Sequence, residues 1–166
     1  MGLLSFIKEA GEKLFGKGEA KAAQEAAAKA PTPENIAALS KTAGDAIAAY
    51  VVAQGLKVDG LAVSFDAHSS IVTVAGTVAD QATREKVVLC CGNVERVAGV
   101  NDLLVVSNPQ PESQWHTVVS GDNLSKIAKK FYGDPNKYPV IFEANKPMLS
   151  HPDKIYPGQV LRIPPL

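Results

Sequence analysis

The sequence predicts an α+β fold of two small domains, an αββαβ layer and a βααβ module, preceded by a short N-terminal helix. Three observations predict it. LAVSFD and IVTVAGTV flank the polar turn His68-Ser69-Ser70 and read as a hairpin, with Leu61, Val63 and Phe65 on one face of its first strand. QATREKVVLCC sits between Asp80, a good N-cap, and Gly92, a good helix stop, and is followed by the strand-like VNDLLVV. Beyond the Pro-containing linker SNPQPES, two short helical stretches lie between two strand-like ones. A chain of 166 residues has room for two small cores.

In chain order, residues 1–16 predict a short amphipathic helix: Leu3, Leu4, Ile7, Leu14 and Phe15 are apolar, with charges between. Residues 17–34 are Ala-rich and charged and end at Pro31-Thr32-Pro33, which predicts a solvated, partly helical spacer. Residues 35–107 form the first domain, opening with a helix over Ala46–Gln54 that stops at Gly55. Residues 108–114 are the linker. Residues 115–166 hold a strand, a Ser-Gly-Asp turn that Asp122 or Asn123 can cap, helices Leu124–Phe131 and Tyr138–Asn145, and the strand VLRIP.

Composition narrows the function. The 17 basic and 17 acidic side chains cancel, with no basic block, so no nucleic-acid partner is expected. The longest apolar runs are too short for a membrane span, so no transmembrane segment is expected. The opening stretch has a short apolar run, no preceding basic residues and no small-residue cleavage site. It does not read as a secretory signal. Phe6 stands where a myristoylation motif wants Ser or Thr. A cytoplasmic location is expected. Cys90 and Cys91 are adjacent, match no metal spacing and read as buried, reduced hydrophobes. His68, His116 and His151 are scattered, with no nucleophile motif or zinc motif around them, so no enzyme is expected.

The segment from HTVVSGDNLSKIAKKFYGD to IFEANKPMLSHPDKIYPGQVLRIP resembles a LysM domain. Asn123 stands where that family usually has Thr, and Trp115 where Tyr is common. IVTVAGTV, the helix after it and the GNVERVAGVNDLLVV return resemble a BON domain. The whole order, from MGLLSFIKEAGEKLFG through the BON-like part to LysM, is similar to the small cytoplasmic bacterial potassium-binding proteins. That resemblance implies a non-enzymatic, selective potassium binder acting as sensor or buffer, with main-chain carbonyls around the ion. Carried over by motif, FIKEAGEK supplies Ile7, Ala10 and Glu12, and CGNVERV supplies Gly92, Val94 and Val97. Glu95-Arg96 departs from the small or polar residues that relatives often carry there.

The residues offer a physical route to such a site. Potassium is held by several neutral oxygens, which backbone carbonyls supply without any side-chain signature. Helix C-termini carry unpaired carbonyls at the negative end of the macrodipole. Leu3–Ala10 before Gly11 and Gln81–Cys91 before Gly92 are two such ends. If they meet, their carbonyls form a cage. The same glycines serve equally as plain helix stops, and the N-terminal segment as a cover for apolar surface. On the cage reading Gly92 needs positive φ, and Gly92→Val loses the ion. Two alternatives stand beside it: a LysM module binding N-acetylglucosamine polymers, and a BON scaffold at phospholipid surfaces. A monomer is expected, since nothing resembles a heptad repeat.

Overall fold

The computed structural model describes residues 3–5, 18–94 and 96–166. The elements run β1 (Leu3–Ser5), α1 (Gly18–Lys29), α2 (Pro33–Ala53), β2 (Asp59–Asp66), β3 (Ile71–Asp80), α3 (Gln81–Gly92) and β4 (Gly99–Asn108). Then come β5 (Gln114–Thr117), α4 (Leu124–Tyr132), a short 3-10 turn, α5 (Tyr138–Ala144) and β6 (Val160–Ile163). The α+β class holds, with αββαβ from α2 to β4 and βααβ from β5 to β6.

The start of the chain corrects one expectation. Leu3–Ser5 is a strand, not the first turn of a helix. It pairs antiparallel with the beginning of β4, Leu3 opposite Asn101, Leu4 opposite Val100 and Ser5 opposite Gly99. An edge strand offers unpaired backbone groups, whereas a first helical turn fixes several residues for one hydrogen bond. Residues 6–17, on which the rest of the expected helix falls, lie outside the described residues.

The next two helices form a corner. Asn35 Nδ2 donates to the Ala30 carbonyl at 2.7 Å, where α1 gives way to α2. Thr32 caps α2 by accepting from Asn35 N–H at 3.2 Å, with Pro33 at the first helical position. This helix starts well before the expected Ala46. Its buried stripe, Ala43, Gly44, Ile47 and Val51, begins ten residues into the helix, so the first turns carry little periodic contrast. Gly55, at φ 76°, is the left-handed residue beyond its end, as expected. Gly44 has a packing reason: a Cβ there would stand 3.0 Å from the Val63 carbonyl oxygen of β2. In length and composition α2 reaches what a membrane span needs, which the apolar runs alone did not show. It lays its buried stripe on the sheet, as core helices do.

The sheet order is β1-β4-β3-β2. β2 and β3 form the expected hairpin, with a bulge between Asp59 and Ala62. Gly76 fits under that bulge at φ 143°, where a Cβ would meet Val58 at 2.5 Å. β3 and β4 are parallel, joined by the α3 crossover. Asp80 caps α3 as expected, its Oδ1 accepting from Thr83 N–H at 2.7 Å.

That cap sets a pH dependence. The Thr83 N–H holds the Asp80 carboxyl below its ordinary value of 3.8. The folded pKa is depressed, so this contribution is present above 3.8 and is lost as pH falls through the lower folded value. Asp80→Ala is expected to lower stability by about 1 kcal/mol at neutral pH. In urea melts the gap from wild type should close in strong acid.

Two cores result. The first gathers α2, α3 and the inner sheet face around Ile47, Val72, Val74, Leu89 and Leu104. The second gathers Val118, Leu124, Ile127, Ile141, Leu149 and Leu161. Val160 of β6 belongs to the first core, and Trp115 and Met148 pack against it, so the C-terminal unit is docked on the first. Cys90 and Cys91 are both buried, and burial pushes the Cys91 thiol up to about 12.

Candidate functional site

The loop that leaves α3 carries three of the expected ligands. Gly92 is the last residue of the helix and is buried. Val94 and Val97 are fully buried at 0% exposure and so anchor the loop from inside. Asn93 N–H donates to the Leu89 carbonyl at 2.9 Å, and Val97 N–H to the Val94 carbonyl at 3.2 Å. Ala98 N–H donates to Ser70 in the β2–β3 turn at 2.8 Å, which ties the far end of the loop to the sheet. The last carbonyls of α3 lie at the negative end of its dipole, and the last turn holds no basic residue to offset it. Among the described residues, no group of three or more His, Cys, Asp or Glu side chains gathers as a metal cluster would.

The strain in this loop is not where the sequence placed it. Gly92 is helical, and the left-handed residue is Arg96, at φ 76°. Gly92→Val therefore does not fail through positive φ. A non-glycine residue at such φ carries a cost that glycine lacks. Arg96→Gly is expected to leave the fold intact and change stability by under about 1 kcal/mol, relief of strain offsetting the extra freedom of the unfolded chain. Arg96→Val should cost more than Arg96→Gly, and thermal melts of the two variants check the order.

Ile7, Ala10 and Glu12 lie outside the described residues. What the structure describes is the approach to them. β1 runs antiparallel to β4, and at Ser5 the chain stands opposite Gly99, two positions beyond Val97. The N-terminal segment thus meets the sheet at the strand that the Gly92–Val97 loop feeds.

Sequence reasoning missed the polar contacts that join this region to the C-terminal unit. Asn93 Nδ2 donates to the Val160 carbonyl at 2.9 Å, and Val160 N–H donates to Asn93 Oδ1 at 3.0 Å. Glu85, 3% exposed on α3, accepts from Arg162 Nε, Ser113 N–H and Ser113 Oγ, each at 2.9 Å. Arg162 is itself only 8% exposed. On the far side, Asn145 accepts from Arg162 N–H at 2.8 Å and donates to the Arg162 carbonyl at 2.9 Å. Burial and the nearby Arg162 charge hold Lys86 below its usual lysine range. The only signal in the sequence was a pair of polar residues, Gln81 and Glu85, one helical turn apart on an otherwise apolar face.

His68 lies in the β2–β3 turn that holds the far end of this loop, and His116 and His151 belong to the C-terminal unit. His116 Nε2 bonds Asp122 Oδ2 at 2.8 Å and meets the Phe131 ring edge-on. Burial opposes ionisation of Asp122, but Val119 N–H and His116 outweigh it and hold the carboxyl below 3.8. Asn123, rather than Asp122, caps α4, its Oδ1 accepting from Lys126 N–H at 2.8 Å.

Comparison with known proteins adds to the geometry. The LysM domain model matches residues 116–164, the β5–β6 unit. The potassium binding protein Kbp of Escherichia coli O6:H1 is 41% identical over 164 residues, covering 99% of both chains. The chain belongs to the Kbp family. The likeness to Kbp runs through the N-terminal segment, the first domain and the LysM domain alike. Other relatives share less of this Kbp-family chain. An uncharacterized protein of Deinococcus radiodurans is 53% identical over 70 residues, 42% of this chain and 27% of its own. Esterase Rv1288 of Mycobacterium tuberculosis is 39% identical over 74 residues, only 16% of its own length, and the match is confined to the LysM region.

Proposed function

We propose that the chain is a selective, non-enzymatic potassium-ion binder, working in the cytoplasm as a sensor or buffer of that ion. One observation carries the geometric side of this reading: β1 pairs with Gly99–Asn101, directly after the Gly92–Val97 loop. The name of its relative Kbp supports the ligand. The ion is held by backbone carbonyls of Ile7, Ala10 and Glu12 from one side and Gly92, Val94 and Val97 from the other. Ile7 follows Ser5 by two residues, so chain length keeps it within about 7 Å of that strand end. Neutral carbonyls suit potassium, whereas carboxylates would favour smaller or divalent ions. The first domain, with its αββαβ order, is of the BON type on this reading. Ion binding favours the arrangement in which N-terminal segment, first domain and LysM domain are closed on one another.

A ligand that binds only the folded, closed state raises its stability by mass action, by about 2.7 kcal/mol at a hundred times Kd. The melting temperature is therefore expected to rise with KCl and to stay level with NaCl at matched ionic strength. Equal responses to the two salts contradict selectivity. The LysM match favours a second reading, contact with N-acetylglucosamine polymers. Co-sedimentation with insoluble peptidoglycan tests that directly.

A further inference from the structure

We propose that Asn93 is a positioning residue through which the LysM domain sets the shape of the ion-binding loop. The inference rests on the potassium reading above and assigns that site its means of control. Asn93 lies between two of the proposed ligands, Gly92 and Val94. Its backbone N–H closes the last turn of α3 on Leu89. Its side chain makes a reciprocal pair with the main chain of Val160, 67 residues away, Nδ2 donating and Oδ1 accepting. A side-chain amide is the group that matches one backbone N–H and one C=O together. Asp keeps the acceptor and loses the donor, and Ala loses both.

Both ends of this connection are anchored. Val160 opens β6, is 3% exposed and sits in the same core as Val94 and Val97. Gln159, the residue before it, is held by Val118 N–H on its carbonyl at 2.8 Å. β6 is thus fixed within the LysM sheet and cannot follow a displaced Asn93. The orientation of the peptide groups on either side of Asn93 depends on that side chain being held. By linkage, whatever loosens β6 from the first domain weakens the ion, and the ion in turn tightens β6.

The test is a calorimetric titration of potassium-free full-length protein with KCl, comparing wild type, Asn93→Asp, Asn93→Ala and Tyr132→Phe. Tyr132 bonds the Pro164 carbonyl inside the LysM domain, makes neither of the bonds that hold Asn93, and serves as the control. Asn93→Ala is expected to weaken potassium about tenfold. Asn93→Asp should fall between Ala and wild type, and Tyr132→Phe should match wild type. A second readout separates coupling from simple structural damage. KCl should shift the Val160 amide resonance in wild type, and the shift should be lost in Asn93→Ala. If Asn93→Ala does not fold, Asn93→Asp decides the matter. A folded Asn93 variant that binds potassium as wild type does overturns the proposal and leaves the ion site standing. A wild type silent to KCl overturns the functional reading itself.

Discussion

A chain lacking residues 1–12 is expected to lose its response to potassium while keeping its fold. The deletion removes β1 and, on the proposed reading, three of six carbonyl ligands. Half a cage leaves the ion to water. Affinity should fall by about a hundredfold or more, the equivalent of about 2.8 kcal/mol. The cost to the remaining fold is small. β1 contributes three residues at a sheet edge, and the core residues described all come from later elements. Melting in sodium buffer should therefore change little, and the rise seen in KCl should vanish. Leu4→Pro is the narrower form of the same test. Proline fixes φ at a value short of the extended strand, so it disturbs the pairing of Leu4 with Val100 and leaves every proposed ligand in the chain. A deletion variant that still binds potassium removes the N-terminal segment from the site.

Glu85→Ala should be the most damaging single substitution for stability. Its carboxylate takes three hydrogen bonds in a nearly dry interface, one of them from a guanidinium that is itself buried. Removing one partner of such a pair strands the other, at a cost of about 3–5 kcal/mol. That is a large part of the 5–15 kcal/mol that typically holds a domain together. Replacing both Glu85 and Arg162 with methionine should recover most of the loss, because the stranded charge goes with its partner. Denaturant unfolding of the single and double variants measures both. An additive double variant would mean that the pair does not act as a unit.

The parts of this molecule legible in the sequence were those whose cause is local. Asp80 and Gly55 mark helix ends by chemistry that needs no tertiary partner, and alternation in LAVSFD gives a half-buried strand on sight. The start of α2 was hidden because its buried stripe begins only at Ala43, with alanine and glycine, where periodic contrast is faint. β1 was misread because the apolar residues around Leu3 and Leu4 fit either period, and the decision belongs to the open edge of β4 nearly 100 residues later. The strain at Arg96 was invisible because arginine does not advertise positive φ as glycine does. Of the candidate site, Gly92 ends α3, and Val94 and Val97 follow it in sequence; all three are buried. The contacts that couple this stretch to the LysM domain were out of reach. Asn93 with Val160 and Glu85 with Arg162 are 67 and 77 residues apart, and nothing in either motif names its partner.

The measurement that tests the account most directly is a calorimetric titration of purified, potassium-free protein with KCl, with NaCl as the matched control. The account predicts saturable heat with potassium, at a stoichiometry near one ion per chain, and only dilution heat with sodium. Dilution heat with both, or equal heats with both, contradicts it.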